Sequence, residues 1–284
     1  MTSAEGISRS LDISGARLHC EVRGSGPLLL VLGSPMGAAE FLPLAHAMAG
    51  AHTVVTYDPR GLGQSSIDDP DQDATPELRA DDVAAVLDAL GADSADVFGS
   101  SGGAVTGLAL VARHPGRVGT LVAHEPPLLE LLPDAERQRA ATDEIIATFH
   151  RDGVEAAWTA FMANAGFDLS DPNAGPPPGP EPTPEEHAKQ LADSARFFDH
   201  ELRATTRYLP DAAALTAGPA RVIVGLGAES GHLLTDATSR ELARLLNRDV
   251  VMFPGDHGGF MSAPGEFAAA LQAVLSRSTP HTAV

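Results

Sequence analysis

The chain has 284 residues with 38 acidic and 19 basic side chains, and its formal net charge of −19 at pH 7 argues against binding to phosphate backbones or to an anionic membrane surface. Its single cysteine, Cys20, excludes an intrachain disulfide and a zinc site built from several thiolates. Residues 1–6 lack an apolar signal-peptide core, and the longest strongly apolar run, Leu28–Leu32, is too short to cross a bilayer, so we expect a soluble, cytoplasmic protein.

The first 127 residues alternate between strand-like and helix-like patterns. Apolar and polar residues alternate over residues 11–23 around Ser14 and Gly15, which predicts an antiparallel hairpin. The continuous apolar runs that follow are typical of strands covered on both faces of a parallel sheet. Strands are predicted at 28–32, 52–57, 95–98 and 117–123, with helices at 38–49, 76–90 and 102–113 between them. Since crossovers between parallel strands are right-handed, this order predicts an α/β fold with a doubly wound, mostly parallel sheet.

The alternation of strands and helices stops after residue 127. No strand-like run occurs from residue 128 to 215, and this stretch carries helical patterns at 133–151, 154–165 and 183–208. The proline-rich stretch 175–180 cannot form a helix interior, so we predict an extended linker or an exposed loop there. We interpret residues 128–215 as a helical insertion.

The sheet pattern resumes after residue 215. Strands are predicted at 222–224 and 249–253 with a helix at 235–247 between them. A final helix presents Phe267, Leu271, Val274 and Leu275 on one face. Residues 1–127 and 216–284 are therefore predicted to form one core that carries the insertion.

Ser101 is a candidate nucleophile. It lies in Gly99-Ser100-Ser101-Gly102-Gly103, between a predicted strand and a predicted helix, which is the setting of a Gly-x-Ser-x-Gly nucleophile elbow. The glycines allow a turn sharp enough to expose the Ser101 hydroxyl. The alternative is a glycine-rich turn that only packs tightly or binds an anion at the helix N-terminus. A phosphate-binding loop is excluded, because it needs a lysine after its last glycine and the only lysine is Lys189.

A serine nucleophile needs an imidazole base and a carboxylate that orients this base. His257 follows the strand predicted at 249–253, and therefore lies at the sheet edge where Ser101 emerges and where ligands bind in open α/β sheets. Three other histidines are harder to exclude as the base than the rest: His124, His187 and His232. The sequence thus predicts His257 as the base.

Two carboxylates compete for the third role. Glu125 ends the strand after the nucleophile helix and precedes Pro126 and Pro127, which force the chain out of the sheet. Glu229 follows the strand at 222–224 and precedes His257 by 28 residues (257 − 229). Both positions are geometrically reasonable.

The sequence resembles the α/β-hydrolase superfamily over residues 11–276. The matching features, in order, are Gly33-Ser34-Pro35, residues 57–65, the elbow at Ser101 and His257 before the last helix. The resemblance implies that residues 128–215 form a helical cap. It also implies an oxyanion hole made by the backbone N–H groups of Ser34 and Gly102, although Leu32-Gly33 stands where many relatives have His-Gly.

The resemblance offers a precedent for each candidate acid. Most superfamily members carry the acid where Glu229 stands, but haloalkane dehalogenases and zearalenone-type lactone hydrolases carry a glutamate where Glu125 stands. We favour Glu125, because a glutamate held by two prolines at the mouth of the cap has few purely structural reasons to be there, and we predict a triad of Ser101, His257 and Glu125, with Glu229 as the alternative acid. Serine in place of aspartate argues against haloalkane dehalogenase and epoxide hydrolase chemistry and leaves acyl transfer.

Four residues are predicted to contact the substrate. Met36 lies just past the oxyanion loop, and Trp158, Phe161 and Phe197 lie in the insertion. The alternative for the three aromatic residues is that they form the insertion's own core. Since no arginine or lysine cluster marks a pocket for an anion, we predict hydrolysis of a neutral, fairly hydrophobic ester or lactone through an acyl-enzyme.

The same triad also serves perhydrolysis, carbon–carbon bond hydrolysis and amide hydrolysis, and a non-catalytic small-molecule receptor is the alternative from another class. We expect a small-molecule partner, no nucleic acid, no membrane, no cofactor and no metal, and homo-oligomerisation is left open. Asp58 and Arg60 are predicted to pin their loop by local hydrogen bonds. The acidic stretch 68–73 lacks the spacing of a calcium loop and is predicted to be solvated.

Overall fold

The computed structural model describes residues 6–168 and 182–276, and within them nine strands form one sheet. The strands are β1 (Ile7–Ile13), β2 (Ala16–Gly24), β3 (Leu28–Leu32), β4 (Thr53–Tyr57), β5 (Ser66–Ile67), β6 (Ala95–Ser100), β7 (Val118–His124), β8 (Arg221–Gly227) and β9 (Val250–Phe253). Their order is β1-β2-β4-β3-β6-β7-β8-β9, with β5 beside β2. β2 pairs antiparallel with β1 and β4, whereas β4, β3, β6, β7, β8 and β9 run parallel. The predicted doubly wound, mostly parallel sheet is confirmed.

Helices cover both faces of the sheet. They are α1 (Leu42–Met48), α2 (Pro76–Ala89), α3 (Gly102–Arg113), α4 (Ala135–Asp152), α5 (Val154–Ala165), α6 (Pro184–Arg196), α7 (Leu202–Thr206), α8 (Ala212–Ala217), α9 (Leu234–Leu245), α10 (Gly259–Ser262) and α11 (Pro264–Leu275). Side chains of α2, α3, α8 and α9 belong to one apolar cluster on the sheet, and those of α1, α10 and α11 belong to the other. Within the described ranges, no helix combines the length and apolar character needed to span a membrane.

Helix α2 shows how the sequence sets an element. Thr75 caps it by accepting a hydrogen bond from the Leu78 N–H at 3.2 Å, and Pro76 occupies its first turn, as predicted. Its buried stripe includes Val83 and Val86 and reaches back one turn to Arg79, which is 1% exposed. Because a buried charge needs a partner, Arg79 must be matched by another element.

The insertion between β7 and β8 contains helices and turns and no strand among its described residues. A 3-10 turn, Leu129–Leu131, begins it. The helical pattern predicted over 183–208 is present over residues 184–206, where a π-helical turn, Phe197–Glu201, joins α6 to α7. The predicted linker at 175–180 lies outside the described residues. The insertion has its own apolar cluster, formed by Ile145, Ile146, Ala157, Phe197, Phe198 and Leu202.

The parallel strands bring the predicted site residues to one edge of the sheet. Ser101 follows β6, Glu125 follows β7, and His257 lies in the loop after β9. Because β6, β7, β8 and β9 are neighbours in parallel pairs, their carboxyl ends lie side by side. The chain enters the insertion directly after β7, at this same edge.

Candidate active site

Ser101 occupies the sharp turn between β6 and α3. Its backbone has φ 55° and ψ −125°, a conformation that residues with a Cβ rarely adopt. Its N–H donates to the carbonyl oxygen of His124 at 3.0 Å. The turn requires glycine beside it, since a Cβ on Gly103 would lie 2.1 Å from the carbonyl oxygen of Leu32. The geometry of the predicted elbow is therefore present, with Ser101 at its tip.

His257 and Glu125 form a hydrogen-bonded pair at this edge. Nδ1 of His257 lies 2.7 Å from Oε2 of Glu125. Because a carboxylate only accepts, the bond places a proton on Nδ1 and leaves Nε2 as the acceptor of the neutral imidazole. The imidazole is 18% exposed and the carboxylate is fully buried, so the ring is the member of the pair that a ligand can reach.

The carboxylate of Glu125 has partners for both oxygens. Oε1 accepts from the backbone N–H of Gly227 at 2.8 Å, and Oε2 also accepts from Oγ1 of Thr235 at 2.8 Å. Burial by itself would raise the pKa of Glu125, but the hydrogen bond and charge of His257, together with other polar neighbours, outweigh burial and lower this pKa to about 2. Glu125 is therefore ionised at neutral pH.

Glu229, the alternative acid, occupies a different position in the loop after β8. Its side chain is exposed, and its backbone N–H donates to the carbonyl oxygen of Gly255 at 3.0 Å. Among the described residues, it is Glu125 and not Glu229 that bonds the ring of His257. The structure thus brings together His257 and Glu125 and leaves Glu229 apart from this pair.

A cavity of about 890 Å³ lies between the sheet edge and the insertion. Ser34, Ser101, Gly102 and His257 contribute to its wall from the core. No arginine or lysine belongs to the wall in the described part of the chain. The four residues predicted to contact substrate also line it: Met36, Trp158, Phe161 and Phe197.

The three aromatic residues of this wall also pack on one another. The rings of Trp158 and Phe197 stack with centroids 5.3 Å apart, and Phe161 lies edge-on to both. Phe197 is nearly fully buried in the apolar cluster of the insertion. These side chains therefore belong both to the cavity wall and to the core of the insertion, so the two predicted alternatives apply together.

Ser34 and Gly102, the predicted oxyanion-hole residues, lie close together at the cavity. Ser34 is in the loop after β3, and Gly102 is the first residue of α3. A Cβ on Gly102 would lie 2.8 Å from the carbonyl oxygen of Ser34, so the two backbones are nearly in contact. The first N–H groups of a helix have no acceptor within the helix, which leaves that of Gly102 to bind an external group.

Comparison with known proteins identifies the family. A family model described as the alpha/beta hydrolase fold matches residues 26–264. The chain belongs to this family. It is 32% identical over 279 residues, 96% of this chain and 97% of the relative, to the uncharacterized hydrolase YraK of Bacillus subtilis. It is 30% identical over 162 residues, 54% of this chain and 61% of the relative, to a zearalenone hydrolase of Cladophialophora bantiana.

Solved structures share the fold of this α/β hydrolase. The enol-lactonase from Burkholderia xenovorans LB400 superposes with a TM-score of 0.69 at 20% identity, over 95% of this chain and 100% of the other. At this identity the likeness concerns the fold. The family model and the relatives named as hydrolases establish that the chain is a hydrolase of this family.

The other candidate histidines of the hydrolase lie outside the bonded pair. His187 is exposed on α6, and His232 lines the cavity. His124 is fully buried behind the pair, with Nε2 4.0 Å from Oε1 of Glu125. Burial lowers the pKa of His124 to about 4, so this ring is neutral at pH 7.

Asp58 and Arg60 support the loop after β4. Asp58 accepts from the N–H groups of Ala38 and Gln64, both at 2.8 Å, and Arg60 forms a buried ion pair with Asp82. Neither residue lines the cavity, and the predicted local hydrogen bonds of Asp58 are confirmed. Over residues 6–168 and 182–276 no group of three or more histidine, cysteine or acidic side chains is arranged to hold a metal ion.

Sequence reasoning missed three residues near the site. Thr235 bonds the carboxylate of Glu125, and Arg79 and Glu201 form a buried ion pair beside Ser34. The signal for Arg79 is present in the sequence, since it falls at helical spacing from the apolar stripe of α2. No comparable signal marks Glu201, which lies in the π-helical turn.

Proposed function

We propose that this α/β hydrolase cleaves a neutral, fairly hydrophobic carboxylic ester or lactone through an acyl-enzyme on Ser101. One observation carries the proposal: the 2.7 Å bond between Nδ1 of His257 and Oε2 of Glu125 lies at a cavity that Ser101 also lines. A buried carboxylate that orients an imidazole near a serine is the arrangement that activates a serine hydroxyl. The negative charge of Glu125 would stabilise the imidazolium that forms.

In the proposed first step, Oγ of Ser101 bonds to the substrate's carbonyl carbon while Nε2 of His257 takes the hydroxyl proton. The carbonyl oxygen becomes an oxyanion, which we assign to the backbone N–H groups of Ser34 and Gly102. The bond to the leaving oxygen then breaks, and this oxygen receives the proton from His257. Water repeats the sequence on the acyl-enzyme, which releases the carboxylic acid and restores Ser101. From a lactone the product is a single hydroxy acid.

The cavity wall supports a neutral substrate with an apolar part. The residues predicted to contact substrate offer apolar surface, and the described wall includes the acidic residues Glu229 and Asp256 but no arginine or lysine. An anionic substrate would meet this negative charge without a cationic partner. Similarity to a zearalenone hydrolase supports the inclusion of lactones. We further propose that residues 128–215 act as the cap over this cavity and that the enzyme is cytoplasmic.

The proposal is tested with a nitrophenyl ester and an active-site phosphonate. We expect a burst of nitrophenol and a phosphonate adduct on Ser101 by mass spectrometry, and neither from Ser101→Ala. A panel of esters, lactones, amides and β-diketones, with a peracid assay, then separates ester cleavage from amide hydrolysis, carbon–carbon hydrolysis and perhydrolysis. Absence of both adduct and turnover contradicts the proposal and favours a non-catalytic receptor.

The pH profile gives a second test. A protonated imidazole cannot accept the serine proton, so kcat/KM should fall as the pH is lowered from about 8 toward about 4. Glu125, whose pKa is lowered to about 2, stays ionised through this range and does not contribute to the fall. A flat profile from about pH 4 to about pH 8 would contradict the assigned base.

A further inference from the structure

A second buried carboxylate lies beside the proposed oxyanion hole. Glu201, the last residue of the π-helical turn, is 1% exposed. Its Oε2 accepts from Oγ of Ser34 at 2.8 Å and from Nη1 of Arg79 at 3.1 Å. Arg79 also donates to Oγ of Ser34 at 2.5 Å and, through Nη2, to Oγ1 of Thr205 at 2.6 Å. We call these four side chains the Ser34 network.

The Ser34 network joins three separate parts of the chain. Arg79 belongs to α2, which packs in the core, and Ser34 belongs to the loop after β3. Glu201 and Thr205 belong to the insertion. The neighbour of Glu201 in sequence, Leu202, lines the cavity together with Thr205. A substrate that contacts Leu202 or Thr205 therefore contacts residues within one helical turn of Glu201 in the chain.

Charged groups use both hydrogen-bonding functions of the Ser34 hydroxyl. It accepts from the guanidinium of Arg79 and donates to the carboxylate of Glu201. Hydrogen bonds to charged groups are stronger than those between neutral groups. Only χ1 separates Oγ of Ser34 from its backbone, so these two bonds restrain the backbone N–H that we assign to the oxyanion.

A contribution to the stability of the fold does not explain the Ser34 network well. Its four side chains are almost fully buried, and a buried ion pair is often no more stable than apolar side chains of similar volume. Nε of Arg79 and Oε1 of Glu201 have no hydrogen-bond partner in the described structure, and each unpaired buried polar atom is destabilising. Departures of this kind from good packing are expected where function requires a particular geometry.

We infer that Arg79 and Glu201 are positioning residues: they hold Ser34 in the geometry of the oxyanion hole and link it to the cavity wall of the insertion. The inference rests on the proposed function. Neither side chain is assigned a contact with substrate. Because the oxyanion exists only in the transition state and intermediate, loss of either residue should lower kcat and leave KM nearly unchanged.

Glu201→Gln and Ser34→Ala test the inference, with Asp82→Asn as the matched control. Glu201→Gln removes the charge at constant shape, and Ser34→Ala removes the hydroxyl but keeps the backbone N–H. Asp82 also pairs with a buried arginine, Arg60, and lies one turn from Arg79 on α2, but it does not bond Ser34. On nitrophenyl esters we expect kcat to fall roughly 10- to 100-fold in the first two variants, with KM and the control within about threefold of wild type.

The inhibition constant of a trifluoromethyl ketone analogue of the ester is a second measurement, and a loss of stability alone does not change it. Its adduct with Ser101 carries an oxyanion, so its inhibition constant should weaken in parallel with kcat in Glu201→Gln and Ser34→Ala. Inhibition by a primary aliphatic alcohol of matching chain length, which forms no oxyanion, should not change. Thermal unfolding followed by circular dichroism shows whether each variant is folded. If Glu201→Gln does not fold, the test of the inference rests on Ser34→Ala, which keeps the Arg79–Glu201 ion pair.

Parallel losses of kcat and ketone affinity at nearly constant KM support the inference. It is overturned where folded Ser34→Ala and Glu201→Gln behave like wild type, or decline no more than Asp82→Asn, while wild-type enzyme still forms the Ser101 adduct. Absence of that adduct in the wild type overturns the proposed function, and the inference falls with it.

Discussion

Glu125 and Glu201 are both glutamates buried near the cavity, yet the structure satisfies them differently. Glu125 follows a core strand, its hydrogen-bond partners come from the core, and both of its oxygens are bonded. Glu201 comes from the insertion, while its charged partner Arg79 comes from the core. In the described structure Oε1 of Glu201 has no hydrogen-bond partner.

The difference shows what each part of the fold contributes. Residues at the ends of neighbouring parallel strands are fixed relative to one another by the sheet, whatever covers them. A contact between the insertion and the core depends instead on how the two pack. We therefore expect the loss of Glu125 to remove the chemistry for every substrate, and the loss of Glu201 to leave a weakened enzyme.

The largest expected effect tests Glu125. Glu125→Gln keeps the shape of the side chain but removes the charge that orients the imidazole of His257, so kcat/KM should fall roughly 10³- to 10⁴-fold on every ester tested. Glu229→Gln is the matched control and should stay within about twofold of wild type, because Glu229 does not bond the ring. Equal losses in the two variants would show that the bonded pair is not the one that catalysis uses.

The next effect concerns stability and tests Glu201. Glu201→Met leaves the guanidinium of Arg79 buried without its carboxylate, which should cost about 3–5 kcal/mol in the free energy of unfolding. The double variant Arg79→Met/Glu201→Met removes both charges and should recover most of this loss, since apolar replacement of a whole buried pair is close to neutral. Urea unfolding of four proteins, the wild type, Arg79→Met, Glu201→Met and the double variant, measures the coupling. A double variant as unstable as the sum of both single changes would mean that the two charges do not act as a pair.

The same contrast explains what the sequence could reveal. Ser101, Glu125 and His257 follow strands with clear apolar patterns, and parallel topology brings such strand ends together, so their proximity could be predicted. The choice between Glu125 and Glu229 could not be made from spacing, because both follow neighbouring strands. It depends on which side chain reaches Nδ1 of His257, a matter of a few ångströms.

The Ser34 network could be predicted only in part. Arg79 lies at helical spacing from the apolar residues of α2, so its burial follows from the pattern. Glu201 lies in a π-helical turn within a stretch, 183–208, whose pattern predicts helix without showing where a π-helical turn falls. Since a π-helical turn shifts the register of the residues that follow, the side chains it presents to the core cannot be read from a 3.6-residue period.

A smaller effect concerns how the free energy of unfolding depends on pH, where His124 and Glu125 act in different pH ranges. Burial holds the pKa of His124 at about 4 in the folded protein, below its ordinary value near 6.5. The unfolded chain therefore binds this proton more readily, so the stabilisation is complete above about pH 6.5 and about 3 kcal/mol is lost as the pH falls to about 4. His124→Asn should flatten this part of the stability profile in urea unfolding, whereas the exposed control His187→Asn should not.

The pH range in which Glu125 changes the stability lies below that of His124. Its pKa is lowered from 4.5 to about 2, so the stabilisation from its ionised form is lost only as the pH falls below 4.5. A profile that keeps its slope between about pH 6.5 and about pH 4 in His124→Asn would mean that another group titrates there.

The smallest effect tests whether the aromatic residues of the insertion meet the substrate or only one another. Phe161 lines the cavity, whereas Phe149 belongs to the same apolar cluster, stacks on Phe198 at 5.6 Å and does not line the cavity. Loss of an apolar contact worth about 1–2 kcal/mol should raise KM for a long-chain ester roughly 5- to 30-fold in Phe161→Ala. An acetate ester, too short to reach this wall, should show almost no change.

Phe149→Ala should lower the stability of the enzyme but leave KM unchanged for both esters, because the side chain packs within the insertion and not on the cavity. The chain-length dependence matters more than the size of either effect. A loosened insertion would alter KM for short and long esters alike, whereas a missing wall contact alters it only for the ester that reaches the wall. Equal responses of Phe161→Ala and Phe149→Ala would therefore assign the aromatic residues to the core of the insertion alone and remove them from substrate recognition.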